Sequence, residues 1–126
     1  MRSQNINFTV HACQGLIKYR DTSCIALIDQ GIVDYYRAVI PKYKRAKPQK
    51  YPAHVTVFRK WEKFIPGYRN EEIISIQYIS YIYESDIYYY LNCWSDDIAD
   101  IRENSGLQRY RVNNCYHITI ANKKDT

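Results

Sequence analysis

Alternating apolar and polar positions predict several β-strands, and the stretch AHVTVFRK is the clearest of them. Successive residues of a strand point to opposite faces of a sheet. Val55 and Val57 therefore share one face, while His54, Thr56 and Phe58 share the other. This strand would present the polar pair His-x-Thr on one side and an apolar surface on the other.

The stretch YHITIAN repeats the same pattern near the end of the chain. Ile118 and Ile120 fall on one face, and His117, Thr119 and Ala121 fall on the other. The chain has three histidines in total, so two of them occur in the same His-x-Thr setting.

Further strands are predicted by β-branched and aromatic residues, which suit a pleated, half-buried surface. The run TSCIALIDQ fits a buried strand at about residues 23–28. The stretches EEIISIQYISYIYES and DIYYYLNCW predict two long strands joined near residues 84–86. The N-terminal stretch INFTVHAC predicts one more strand.

Two helices are predicted by apolar residues at helical spacing and by their capping residues. Asp29 can cap a helix over residues 30–40, which Pro41 would end. Ser95 can cap a second helix, and Gly106 lies just beyond its end.

The predicted elements form two similar halves of a single domain over residues 1–126, at about 23–60 and 87–122. Each half has a strand, a capped helix, a loop and a His-x-Thr strand. Repeats of this kind commonly pack about a pseudo-two-fold axis, so we expect the two His-x-Thr strands to face one cleft.

Composition indicates a folded globular domain, because 46% of the residues are hydrophobic and 25% are charged. No apolar run approaches the roughly 20 residues of a membrane span, and no signal-like segment follows Arg2. We therefore expect a soluble cytoplasmic protein with no membrane association. Four cysteines without zinc-like spacing predict neither a metal site nor disulfides.

The net charge of +5 is concentrated in the stretch PKYKRAKPQKYP, which we call the basic loop. Most charged runs are simply solvated surface. Because this one closely precedes His54, the sequence favours attraction of an anionic ligand such as a phosphate. The basic residues of the loop are Lys42, Lys44, Arg45, Lys47 and Lys50.

Paired His-x-Thr motifs suit phosphoryl chemistry. The ordinary pKa of histidine lies near 6.5, so one imidazole can act as a neutral base while the other acts as a protonated acid. Threonine hydroxyls can stabilise the charge on phosphate oxygens. One such motif would be an ordinary strand feature, but two in matching contexts favour a catalytic site. His11 has no Thr or Ser two places on, so we interpret it as structural.

The two motifs, HVTV at 54–57 and HITI at 117–120, resemble those of the 2H phosphoesterase superfamily, also called LigT-like phosphodiesterases. The resemblance covers about residues 23–122. It implies an α+β fold, as one two-lobed domain with a pseudo-two-fold repeat, antiparallel sheets lining a central cleft and helices packed outside. It further implies that His54 and His117 are the catalytic acid/base pair, that Thr56 and Thr119 bind the substrate phosphate, and that no metal or other cofactor is needed.

The family acts on 2′,3′-cyclic phosphates, 2′,5′-linked oligonucleotides or, in some viral members, cyclic oligonucleotide immune signals. The chain departs from the family in its shortness and in having Asn122 and Lys123 after the second motif, which bears on the substrate. Its richness in Ile, Tyr, Lys and Asn favours a viral or phage member that destroys such a signal in the host cytoplasm. No obligate protein partner is expected.

Two alternatives stay open. One is a 2′,3′-cyclic phosphodiesterase of RNA end processing, and the other is a non-catalytic protein that binds a nucleotide or RNA. In each case Tyr51 and Trp61 are candidates for contact with a base, because they bracket the first motif and bases stack on aromatic faces.

Overall fold

The computed structural model describes residues 9–110 and 115–123. It contains two short helices, α1 (Gln30–Val39) and α2 (Asp96–Asn104), and a 3-10 turn at Lys42–Lys44. The strands are β1 (Val10–Tyr19), β2 (Cys24–Leu27), β3 (His54–Phe58), β4 (Ile73–Ile79), β5 (Tyr83–Glu84), β6 (Tyr88–Trp94) and β7 (Tyr116–Asn122).

Six strands form a closed antiparallel barrel in the order β4-β1-β2-β3-β7-β6. The ring closes because β4 pairs with β6 as well as with β1, at Gln77 opposite Trp94 and Tyr78 opposite Cys93. The short strand β5 extends the sheet beyond β6.

The expected two-lobed α+β fold, with helices packed outside, is therefore wrong. The two strand–helix–strand units exist, but they meet at the β3–β7 pair and share the wall of one barrel. The sequence pattern identified the strands without showing which edges would pair. The ten-residue β1 pairs with β4, and β4 pairs in turn with β6. These pairings connect the two units into one sheet, so the units do not form separate lobes.

The core combines the inward faces of the strands with one face of each helix. Val55, Leu91 and Ile118 are fully buried, and Val33 of α1 and Ile98 of α2 belong to the same cluster. The helices thus complete the core of the barrel and do not form a separate outer layer.

The predicted helices and their caps are confirmed. The Asp29 carboxylate accepts a hydrogen bond from the Gly31 backbone N–H at 3.0 Å. The Ser95 hydroxyl accepts one from the Ile98 backbone N–H at 3.1 Å. No helix in residues 9–110 and 115–123 has the length and apolar character to cross a bilayer.

The predicted strands at residues 24–27, 54–58 and 116–122 are also confirmed, but two of the side chains assigned to the polar face are fully buried. Phe58 stacks on Phe64 with ring centroids 4.5 Å apart. Ala121 lies beyond a register shift between Tyr89 and Tyr90, which disturbs the alternation. Local irregularities of this kind are not visible in a strict period of two.

The other strand predictions are confirmed in part. The predicted N-terminal strand extends into β1, although its first residues lie outside the described range. The long strand predicted before residues 84–86 is divided, because β4 ends at Ile79 and the separate β5 follows.

Arg102 of α2 links the helix to the barrel through a buried ion pair. Its side chain is 3% exposed and donates hydrogen bonds to a Glu62 carboxylate oxygen at 2.9 Å and to the Val57 and Gln108 carbonyls at 2.8 Å each. Glu62 in turn accepts a hydrogen bond from the Arg59 backbone N–H at 2.9 Å.

Replacement Arg102→Leu should lower the free energy of unfolding by about 3 kcal/mol, because it leaves a largely buried carboxylate and two carbonyls without their donor. Urea denaturation would measure this loss. The matched change Arg109→Leu removes a solvent-accessible arginine paired with Asp100 and Glu103, and should cost much less than Arg102→Leu. Equal losses in the two variants would contradict the role given to Arg102.

Candidate active site on the β3–β7 seam

The pairing of β3 with β7 positions all four side chains of the two motifs. Val55 lies opposite Ile118 in antiparallel register, with both side chains buried. Continuing this register by one residue in each direction places His54 opposite Thr119 and Thr56 opposite His117. Each imidazole therefore lies across the seam from the hydroxyl of the other motif, on the outer face of the barrel.

The flanking strands extend these two rows. One row runs from Ile25 of β2 through Thr56 and His117 to Asn92 of β6. The other runs from Leu27 through His54 and Thr119 to Tyr90. Directly opposite residues have α-carbons about 4.5–5.5 Å apart, and diagonal neighbours about 7–8 Å. The two histidines are diagonal neighbours, a separation that suits groups on either side of one phosphate.

Three of the four motif side chains line a common pocket of about 220 Å³. We call it the seam pocket. Its walls are formed by strand residues and by the segments that follow β3 and precede β7. The lining residues are Thr56, Arg59, Tyr88, Cys115, Tyr116, His117 and Thr119.

His54 lies beside the seam pocket in a second depression of about 130 Å³, which we call the His54 depression. Its ring Nδ1 lies 2.8 Å from the Pro52 carbonyl oxygen. A carbonyl can only accept, so Nδ1 carries the proton and Nε2 remains for chemistry. The depression is lined by Arg20, Ser23, Ile25, Tyr51, Pro52 and His54.

His117 lies in a less polar setting. Burial lowers its pKa from the ordinary value of 6.5, and the positive charge of Arg59 lowers it further. The ring of Tyr90 packs against the imidazole, with centroids 4.1 Å apart. The neutral form of His117 is therefore favoured at neutral pH.

Arg59 is a site residue that the motif analysis missed. It lines the seam pocket, and its Nε is buried without a hydrogen-bond partner in the described residues. Its guanidinium carbon lies 5.5 Å from the centre of the Trp61 ring. A guanidinium beside two hydroxyls and an imidazole is a ready contact for an anion. The only sequence signal was a cation in the stretch AHVTVFRK, one residue after Phe58.

The two aromatic candidates lie on different sides of the site. Tyr51 lines the His54 depression and is 64% exposed. Trp61 is 67% exposed and does not line the seam pocket, but it contacts the pocket through Arg59. The sequence-predicted residues are thus brought to one face of the barrel, although not into one cavity.

The basic loop adjoins the end of β7 that lies near the seam pocket. The backbone of Lys47 pairs with Asn122, which lies opposite the pocket residue Tyr88. Lys44 and Lys123 both form ion pairs with Glu84, at 3.1 and 2.7 Å. Part of the charge that the sequence assigned to ligand attraction is therefore neutralised within the protein.

The remaining titratable groups near the site give no sign of a thiolate or a metal centre. Burial raises the pKa of the Cys115 thiol above its ordinary value, so this pocket residue is protonated at neutral pH. Within the described residues, no group of three or more His, Cys, Asp or Glu side chains is placed to hold a metal ion.

Comparison with protein-family models, curated proteins and solved structures finds no match for this chain. Function is therefore inferred from the geometry of the seam, meaning the two imidazoles, the two hydroxyls and Arg59. The two-lobed architecture that the motif resemblance implied contributes nothing to it.

Replacement Arg59→Gln should raise the pKa of His117 toward 6.5, because it removes a positive charge that disfavours the imidazolium while leaving burial unchanged. NMR titration of the imidazole would measure the shift. Lys60→Gln removes an equal charge from an exposed neighbour outside the pocket and should have little effect. An unchanged titration in Arg59→Gln would contradict the assigned contact.

Proposed function

We propose that this protein is a phosphodiesterase of the 2H type, which cleaves a nucleotide phosphodiester bond by acid/base catalysis with His54 and His117. The observation that carries the proposal is the β3–β7 register. It places each imidazole across from a threonine hydroxyl on one face of the barrel.

A phosphate group fits the centre of this arrangement. The hydroxyls of Thr56 and Thr119 occupy the other diagonal of this four-residue arrangement and can donate hydrogen bonds to the non-bridging oxygens. Arg59 lines the seam pocket and supplies a positive charge from the side. The cradle therefore has donors for the phosphate oxygens and imidazoles on either side of the phosphorus.

The environments of the two histidines support different roles. The lowered pKa of His117 favours the neutral imidazole, which acts as the base. His54 takes the acid role, because its Nδ1–H is held by the Pro52 carbonyl and a proton on Nε2 can be given to the leaving oxygen. The reaction uses protons and fixed charges of the chain itself and needs no metal ion.

A nucleotide second messenger is the substrate that we favour, either a cyclic oligonucleotide or a 2′,5′-linked oligonucleotide. Support comes from two aromatic side chains near the site, because Tyr88 lines the seam pocket and Trp61 lies beside Arg59, and bases can stack on such rings. Destruction of such a messenger would serve viral evasion of host immunity in the host cytoplasm. A 2′,3′-cyclic phosphodiesterase of RNA ends and a non-catalytic nucleotide binder are the alternatives tested below.

Wild-type protein should cleave at least one class in a panel of cyclic di- and trinucleotides, 2′,5′-oligoadenylate and 2′,3′-cyclic mononucleotides. His54→Ala and His117→Ala should each lower kcat by about 10²–10⁴-fold, because each removes one partner of proton transfer. Chromatography of the products in the presence of EDTA would measure this.

The control is His11→Ala, which removes the third histidine far from the seam and should retain activity. Tight binding of a compound without turnover would contradict the enzyme proposal and indicate a nucleotide-binding protein. Loss of all activity in EDTA, restored only by a divalent ion, would overturn the acid/base mechanism. Preference for 2′,3′-cyclic mononucleotides would favour the RNA-end enzyme.

Replacement Thr119→Val should lower kcat by about 10²-fold, because it removes a donor to the developing charge and keeps the shape of the side chain. Thr119→Ser keeps the hydroxyl and should retain most of the activity. Single-turnover rates would compare the two variants. If serine and valine reduced the rate equally, packing would be responsible and not the hydroxyl.

The acid limb of the pH–rate profile should lie below pH 6.5, because the base must be unprotonated and its pKa is lowered. Arg59→Gln should move this limb to higher pH as the pKa of His117 rises. Measurement of kcat/KM across the acid range would test both statements. If the acid limb did not move in Arg59→Gln, a group other than His117 would be responsible for it.

A further inference from the structure

We infer that the His54 depression binds the nucleotide that leaves, and that Arg20 holds the next phosphate along the substrate. The inference rests on the proposed function and makes it more specific. The substrate would then be a ribonucleotide with a 3′,5′ linkage and a second phosphate beyond the one that is cleaved. It could be linear or cyclic.

The two cavities lie on opposite sides of the scissile-phosphate position. The seam pocket extends from β3 toward β7 and β6, whereas the His54 depression extends toward β2 and the turn before it. Neighbouring strands are about 4.8 Å apart, so the two cavities are displaced by a few strand spacings. A phosphate at the seam would have one cavity on each side, against which a nucleoside can pack.

The proposed roles of the two histidines determine which nucleoside lies in each cavity. His117, the base, takes the proton of the attacking 2′-hydroxyl, so the attacking nucleoside lies in the seam pocket. His54, the acid, gives a proton to the departing 5′-oxygen, so the departing nucleoside lies in the His54 depression. The bond from the 2′-oxygen to phosphorus forms, the bond from phosphorus to the 5′-oxygen breaks, and a 2′,3′-cyclic phosphate results.

The walls of the depression suit a nucleoside. Tyr51 presents an exposed ring at one side, with Pro52 next to it and the apolar side chain of Ile25 also lining the depression. An aromatic face and an aliphatic wall can pack against a base or a ribose without selecting one base.

Arg20 supplies a charge at the far side of this depression. It lies in the turn between β1 and β2, where its backbone N–H donates to the Ser23 carbonyl at 2.7 Å. Its side chain is exposed and makes no ion pair with any residue in 9–110 and 115–123. A free guanidinium next to a nucleoside-sized wall is suited to the phosphate on that nucleoside.

The test compares ApA, which has one phosphate, with ApAp, which carries a further 3′-phosphate, and with 2′,3′-cyclic AMP. Wild type should cleave ApAp with a kcat/KM about fivefold above that for ApA, mainly through KM, since the added contact is an exposed charge pair. Arg20→Gln should abolish this difference and leave cleavage of 2′,3′-cyclic AMP unchanged. Arg20→Lys should retain part of it.

The matched control Arg37→Gln removes a charge on α1 that is paired with Asp34 and should preserve the preference for ApAp. Equal cleavage of ApA and ApAp by wild type, or a preference that survives in Arg20→Gln, would overturn the subsite while the phosphodiesterase remained. The assignment of the two sides requires attack by the 2′-hydroxyl. Cleavage of an ApA analogue that lacks this hydroxyl on its first ribose would therefore overturn the assignment. A wild type that leaves every compound intact would overturn the phosphodiesterase and the subsite together.

Discussion

The pairing of β3 with β7 is the constraint on which the barrel and the candidate site both depend. These strands come from the two strand–helix–strand units, and their contact joins those units. Val55 and Ile118 meet there with no exposed surface. Because side chains alternate along a strand, burying this pair on the inner face places the two His-x-Thr motifs on the outer face. A slip of one residue would bury polar groups and expose apolar ones, so hydrophobic burial also holds the register of the site.

The charge available at the site also depends on the core, through the buried residue Arg102. Arg102 is buried and holds Glu62, and Glu62 accepts the backbone N–H of Arg59. The carboxylate is thereby engaged by one arginine while the side chain of the other is left for the seam pocket. The Nε of Arg59 is a buried donor without a partner among the described residues, which costs stability. The charge of Arg59 also favours the neutral form of His117 and is available to an anion in the seam pocket.

Local pattern was enough to predict both helices, their caps and the strands that carry the motifs, because capping side chains and alternation act over a few residues. It failed for the architecture, which depends on β4 pairing with both β1 and β6 across long stretches of sequence. It also failed for Phe58, whose burial comes from stacking on Phe64. Arg59 was missed because alternation along AHVTVFRK assigns it to the face of Val55 and Val57. In the structure β3 ends at Phe58, and Arg59 lines the seam pocket.

The barrel also changes what the site requires of a substrate. In a two-lobed protein a cleft would enclose the phosphate, and closing of the lobes could exclude water. Here the four motif side chains lie half-buried on one outer wall, and two shallow cavities flank them. A small phosphate alone would touch only the centre of this surface. Contacts on both sides of the seam are available only to a longer ligand, in agreement with the oligonucleotide substrate that we propose. Exposed groups such as Tyr51 and Arg20 lie at the border of the site, where a ligand longer than a single phosphate can contact them.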